Sequence, residues 1–173
     1  QGLMFPAKLP TISQPPAAAA TTSTSFITEW TVSGDETART VTLPLYDNTG
    51  WSHGTLLDFT IDWGDGTAEE TITAHDDADR VHIYETNGTY EVTMTGVVGS
   101  FKFNNGTGLT DGIADCRKLT KISNWGTYYL FIDDAFWGCS NLVITASDAP
   151  DCSKMAGNAM QYCFRDCASI TQI

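Results

Sequence analysis

The clearest pattern in the chain is an alternation of apolar and polar residues that begins at Phe26. In FITEWTV, Phe26, Trp30 and Val32 share one parity. Val41, Leu43 and Leu45 alternate in RTVTLPLY, and Leu57, Phe59, Ile61 and Trp63 alternate in LLDFTIDW. ETITA, RVHIY, TYEVTMT and SFKFNN follow, where Val81 and Ile83, then Tyr90, Val92 and Met94, carry the alternation on. A period of two places successive side chains on opposite faces of a strand, so each run predicts a strand with one buried face. Turn-formers separate the runs: Asp47-Asn48-Thr49-Gly50, Gly64-Asp65-Gly66, and Asn87-Gly88 as a hairpin signal between two of them. Seven short strands at this spacing predict a mainly β fold, with a two-sheet immunoglobulin-type sandwich over residues 26–101. That span has no cysteine, so its core rests on packing alone.

Three ordered elements add a resemblance. Asp62-Trp63-Gly64-Asp65-Gly66-Thr67 is followed by His82-Ile83-Tyr84 and then by Gly88-Thr89-Tyr90-Glu91-Val92. The glycines permit a tight turn, the aspartate can accept backbone N–H bonds, and Tyr90 and Val92 feed the core. This order resembles the W-G-D-G-T, H-x-Y and G-T-Y-x-V signature of PKD-type domains. The resemblance implies a structural or adhesive module in which the W-G-D-G-T turn is not an active site.

The pattern changes after residue 101. Ile113, Cys116, Leu119 and Ile122 share a spacing with Phe136, Cys139 and Leu142, and with Phe164, Cys167, Ile170 and Ile173. Each set reads apolar-x-x-Cys-x-x-Leu/Ile, and the cysteines recur at intervals within the period of leucine-rich solenoids. Residues 102–173 therefore predict about two and a half repeats that end mid-repeat and depend on a neighbour, or on further chain, for cover. Motifs of the form F-x-x-C-x-x-L resemble those of BspA-type leucine-rich surface proteins, whose sequences place a PKD-like sandwich before the repeats. An extended Pro/Ala-rich arm over residues 1–25 precedes both units. It reads either as a disordered leader or as a segment docked on a neighbouring subunit.

Charge narrows the partners. The formal net charge is −12, and residues 26–101 hold 14 acidic side chains against Arg39 and Arg80 alone. Such a surface repels phosphate backbones and anionic lipid, which argues against nucleic-acid and membrane-surface binding. No run of 18 apolar residues is present, so membrane insertion by a helix is not expected.

The sequence offers little catalytic chemistry. It has no G-x-S-x-G elbow, H-E-x-x-H, Walker loop or dinucleotide fingerprint, and no catalytic residue or cofactor is predicted. His82 reads as a structural residue of the PKD-type pattern, and His53 and His75 as loop residues. All five cysteines fall after residue 115, without the paired spacing of zinc sites. They read as a ladder of small buried side chains, with a disulfide involving Cys152 or Cys163 left open. Asp62, Asp65, Asp76, Asp77 and Asp79 are the calcium candidates, weighed against solvated turns, because calcium takes six to eight oxygen ligands. Asn87-Gly88-Thr89 and Asn105-Gly106-Thr107 match a glycosylation pattern and read as turns. Trp125, Tyr128, Tyr129, Phe131 and Trp137 lie within 13 residues. They form either the core of the junction between sandwich and repeats or, with Phe5, an interaction surface.

The expected function is a non-enzymatic, surface-displayed structural or assembly protein, such as a virion decoration or fibre subunit or part of another extracellular assembly. Its expected partners are copies of itself or neighbouring structural proteins. The alternative is a bacterial cell-surface adhesin fragment that binds host glycan or protein.

Overall fold

A computed structural model of the chain describes residues 23–47, 56–99, 101–103, 113–130, 132–155 and 160–171. The described fold is mainly β. Its principal sheet is mixed and six-stranded, in the order β4-β3-β6-β1-β7-β8, and a two-stranded sheet pairs β2 with β5. The strands are β1 (Phe26–Val32), β2 (Thr40–Thr42), β3 (Leu57–Asp62), β4 (Glu70–Ile72), β5 (Val81–Ile83), β6 (Gly88–Val98), β7 (Leu119–Asn124) and β8 (Val143–Ile144). Short helices α1 (Glu36–Arg39) and α2 (Ile113–Cys116) and a 3-10 turn at Ala78–Arg80 complete the elements.

The alternation in β1 becomes burial: Phe26, Thr28, Trp30 and Val32 face inward. Thr28 belongs there because Trp30 Nε1 donates to its hydroxyl over 3.0 Å, which satisfies a polar group that would otherwise be stranded in the core. Leu57, Phe59, Ile61 and Trp63 from β3 and its turn, and Val92 and Met94 from β6, are also buried. One continuous apolar cluster holds these residues together with Leu119, Ile122, Trp125, Tyr128 and Phe136 from beyond residue 101. Phe26 lies 4.4 Å from Tyr128 and stacks on Trp125 at 5.9 Å, centroid to centroid.

Two local expectations are corrected. Val81 and Ile83 follow the period of two, but they form the outer face of β5, at 42% and 48% exposure. His82 and Tyr84 take the inner face, where hydrogen bonds to the turn after β3 hold them. Asn87-Gly88 does not close a hairpin, because β5 pairs with β2 while β6 pairs with β1 and β3. The chain crosses between the sheets there, and Asn87 Oδ1 instead accepts the N–H of Gly34 over 3.0 Å.

Residues 102–173 contribute β7, which pairs antiparallel with β1, and β8, which pairs parallel with β7. Beyond β8 the described chain makes turns and isolated bridges, and no solenoid is formed among the described residues. The offset between bonded positions changes along this half: Lys121 pairs with Val143, 22 residues on, whereas the corners bond 27 apart. At the corners the N–H groups of Asp134, Phe136 and Gly138 donate to the carbonyls of Gln161, Cys163 and Arg165. No described helix is long and apolar enough to cross a membrane.

Candidate interaction surface

The turn after β3 is tied inward on every side. Gly64 and Gly66 have φ of +77° and +86°, the left-handed region that glycine enters without strain. A Cβ at Gly64 would stand 2.2 Å from the Glu91 carbonyl oxygen, so only glycine fits. The Asp62 carboxylate accepts the Gly64 N–H, and Asp65 Oδ1 accepts both the N–H and the hydroxyl of Thr67. Asp65 Oδ2 sits 2.8 Å from His82 Nε2, and the His82 ring stacks on Trp63 at 4.7 Å. Tyr84 donates its hydroxyl to the Trp63 carbonyl, and Trp63 Nε1 donates to Glu70. Partial burial pushes the Asp65 carboxyl up, but the bonds from Thr67 and His82 outweigh it and hold the group below the ordinary carboxylate range. Burial pushes the Tyr84 phenol far above its usual value.

This geometry gives three of the five calcium candidates other work. Asp62 and Asp65 cap their own turn. Asp77 caps the 3-10 turn, with one oxygen accepting from Asp79 N–H and the other from Thr73 N–H. Asp76 and Asp79 are exposed. No group of three or more His, Cys, Asp or Glu side chains is gathered as a metal site among the described residues. His75 lies 3.8 Å from Asp47 at the surface, and His53 lies outside the described residues.

The cysteines serve the stacking of turns. All five are thiols; Cys152 is exposed and the other four are buried. Cys116 Sγ donates to Gly138 O at 3.2 Å, Cys163 Sγ to Ile132 O at 3.2 Å and Cys167 Sγ to Phe136 O at 3.0 Å. Burial raises the pKa of Cys116, Cys139 and Cys163, and that of Cys167 to about 11. These thiols stay protonated and unreactive at neutral pH.

Two turns repeat each other bond for bond. Trp137 N–H to Asp134 O, Cys139 N–H to Phe136 O and Leu142 N–H to Cys139 O recur as Arg165 to Tyr162, Cys167 to Phe164 and Ile170 to Cys167. Left-handed φ recurs as well, at Asp134 (59°) and Tyr162 (56°), then at Gly138 (84°) and Asp166 (59°). Phe136 and Phe164 stack at 5.4 Å.

The second of these turns carries an exposed aromatic cluster. Tyr162 and Met160 are each 49% exposed. The Arg165 guanidinium lies 4.5 Å from the Trp137 ring centroid and 5.2 Å from that of Tyr162, two cation–π contacts on one cation. Trp137 Nε1 donates to Asp166 Oδ2 over 3.0 Å, which fixes the indole. Left-handed φ at a tyrosine costs about 1 kcal/mol or more, so the fold strains Tyr162 while leaving its ring at the surface.

Of the residues expected at an interaction surface, Trp137 is half-buried beside Tyr162 and Arg165. Trp125 and Tyr128 are not at the surface: both rings are packed inside, and Tyr128 spends its hydroxyl on the Phe101 N–H. Tyr129 is half-buried against Leu56 and Ile132. Phe5 and Phe131 lie outside the described residues. Sequence reasoning missed Met160, Tyr162 and Arg165. The signal was available in the alignment of Phe136-Trp137-Gly138-Cys139 with Phe164-Arg165-Asp166-Cys167, which sets Arg165 against Trp137 and Asp166 against a left-handed glycine. Compared with known protein families, curated proteins and solved structures, the chain matches none.

Proposed function

We propose that this protein is a non-enzymatic structural and assembly module displayed on an extracellular surface, of a virion or of a cell. In this reading an immunoglobulin-like, PKD-type sandwich has its main sheet extended by repeated cysteine-cornered turns of BspA type, and the turns present the contact surface. The observation that carries the reading is the grouping of half-buried Trp137 with exposed Tyr162, Arg165 and Met160. These residue types concentrate binding energy at the centres of protein interfaces, and here a left-handed backbone and two cation–π contacts preset them. The polar groups of the strongest sequence motif are consumed within the fold, which favours a structural role for it.

The adhesin alternative, in its glycan-binding form, needs a bare ring on which a sugar can stack. The Trp137 ring is already overlaid by Arg165, which favours a protein partner. Sedimentation velocity of the full chain over a wide concentration range tests the proposal. Concentration-dependent self-association is expected, and Trp137→Ala should weaken it about tenfold or more. A wild-type chain that stays monomeric at every concentration would overturn the reading.

A further inference from the structure

We infer that the Trp137–Tyr162–Arg165 cluster of one copy docks on the outer face of β5, and in the depression beside it, on a second copy, joining copies head to tail. The inference rests on the assembly reading above and assigns its contact.

The docking side is a cation held in place. Lys102, Lys118 and Lys121 are paired with Asp133, Asp115 and Glu29. Arg165 is paired more loosely: its ion pair with Asp166 is long, at 3.8 Å, both side chains are exposed, at 49% and 71%, and two rings support its guanidinium. Preset rings and guanidinium lose little rotamer freedom on binding.

The receiving side is complementary in both respects. Val81 and Ile83 make an apolar stripe on the outside of β5, with exposed Asp79 and Glu85 at its two ends. The other edge of that sheet is closed, since Asp115 accepts the Thr42 N–H and Lys118 donates to the Thr40 carbonyl. Beside Ile83 opens a depression of about 360 Å³, lined by Asp65, Thr67, Ile83, Glu85, Thr86 and Tyr90. Asp65 is occupied by His82 and Thr67, and the Thr86 and Tyr90 hydroxyls bond each other. Glu85 has no salt-bridge partner among the described residues, so it is the carboxylate open to an incoming guanidinium. The two arginines of this half do not compete for it: Arg39 donates to the Tyr84 carbonyl and Arg80 to the Leu43 carbonyl.

One chain thus exposes an aromatic, cationic patch and an apolar patch rimmed by carboxylates. Two different complementary patches make a heterologous contact, which propagates from copy to copy unless it closes into a ring. Opposite charge fixes the register of such a contact and makes it sensitive to salt.

The test uses the full chain in sedimentation velocity. Arg165→Glu and Glu85→Arg are each expected to weaken self-association at least tenfold, as is Ile83→Asp, which breaks the apolar part without touching the charge pair. The double variant Arg165→Glu/Glu85→Arg should restore association. A mixture of the two single variants should associate again with the copies alternating, because both junctions between unlike copies pair opposite charges. All three residues are at the surface, and unchanged circular dichroism and melting temperature identify the variants that remain folded. Association that persists unchanged in all three single variants overturns this contact and leaves the assembly reading standing. A wild-type chain that never associates overturns both.

Discussion

The two halves of the molecule build tight turns on opposite plans. After β3 the turn is made once, from parts that cannot be exchanged: a glycine pressed on the Glu91 backbone, an aspartate bonded to Thr67 and His82, and a tryptophan wedged beneath the histidine. In residues 134–142 and 162–170 the turn is made twice, with the same backbone bonds and different side chains. Glycine at 138 and aspartate at 166 occupy the same left-handed place. The first plan specifies one structure through side-chain bonds. The second specifies it through backbone bonds and apolar stacking, which leaves outward positions such as 162 and 165 free of that task.

The sharpest way to break this comparison is to make the same change in both turns. Gly64→Ala adds a Cβ against a backbone oxygen and forces alanine into a left-handed φ, so a loss of about 4 kcal/mol or more is expected. At Gly138 the nearest atom to an added Cβ is Cys116 Sγ at 3.3 Å, so Gly138→Ala should cost about 1 to 2 kcal/mol, mostly backbone strain. Chemical denaturation measures both, and equal losses would erase the distinction.

The next test concerns whether the halves are energetically separate. Phe136 is fully buried and lies 5.8 Å from both Trp125 and Tyr128, rings that in turn pack on Phe26. Phe136→Ala should therefore cost about 3 to 4 kcal/mol and lower a single unfolding transition for the whole described fold. Two separate transitions, with only the later one shifted, would show that the halves unfold independently.

The smallest effect is a difference of sign with pH. The folded-state pKa of Asp65 lies below its ordinary 3.8, so its contribution is complete above that range and is lost as pH falls through the folded value. Asp134 behaves oppositely. Burial, then the neighbouring Asp133, raises its pKa against the pull of Lys102 and Arg165, and its Oδ1 is buried with no hydrogen-bond partner among the described residues. Stability tied to Asp134 is therefore complete below the unfolded pKa and declines as pH rises through the folded one. Melting temperatures across the acid range should show Asp65→Asn flattening the acid-side loss. Asp134→Asn should stabilise the neutral protein by about 1 kcal/mol and lose that advantage in acid, as asparagine tolerates the left-handed φ.

Much of the β framework was legible because burial on one face leaves a period of two. Phe26, Trp30 and Val32, and Leu57 through Trp63, lie inward as their parity requires. The same rule chose the wrong face in β5, where histidine and tyrosine hydrogen-bond inward to Asp65 and Trp63 and thereby outrank valine and isoleucine for the interior. The pairing of β7 with β1 left no local mark, since it is decided by contacts some 92 residues apart. Within the candidate surface, Trp137 could be read from an aromatic run. Tyr162 and Arg165 carry no such local mark: they reach it through the stacking of one turn on another, and only the alignment of the two repeats, which sets Arg165 against Trp137, points to them.

That pairing of β1 with β7 has a consequence for biosynthesis. β1 is an interior strand whose two neighbours come from distant parts of the chain, β6 and β7. A ribosome adding about 5 to 20 residues per second leaves one edge of β1 unpaired for several seconds after the strand has emerged. Throughout that interval Phe26 and Trp30 sit on a strand with an open row of N–H and C=O groups, the arrangement that invites pairing with another nascent chain. The finished protein, with β1 enclosed between β6 and β7, no longer carries that liability.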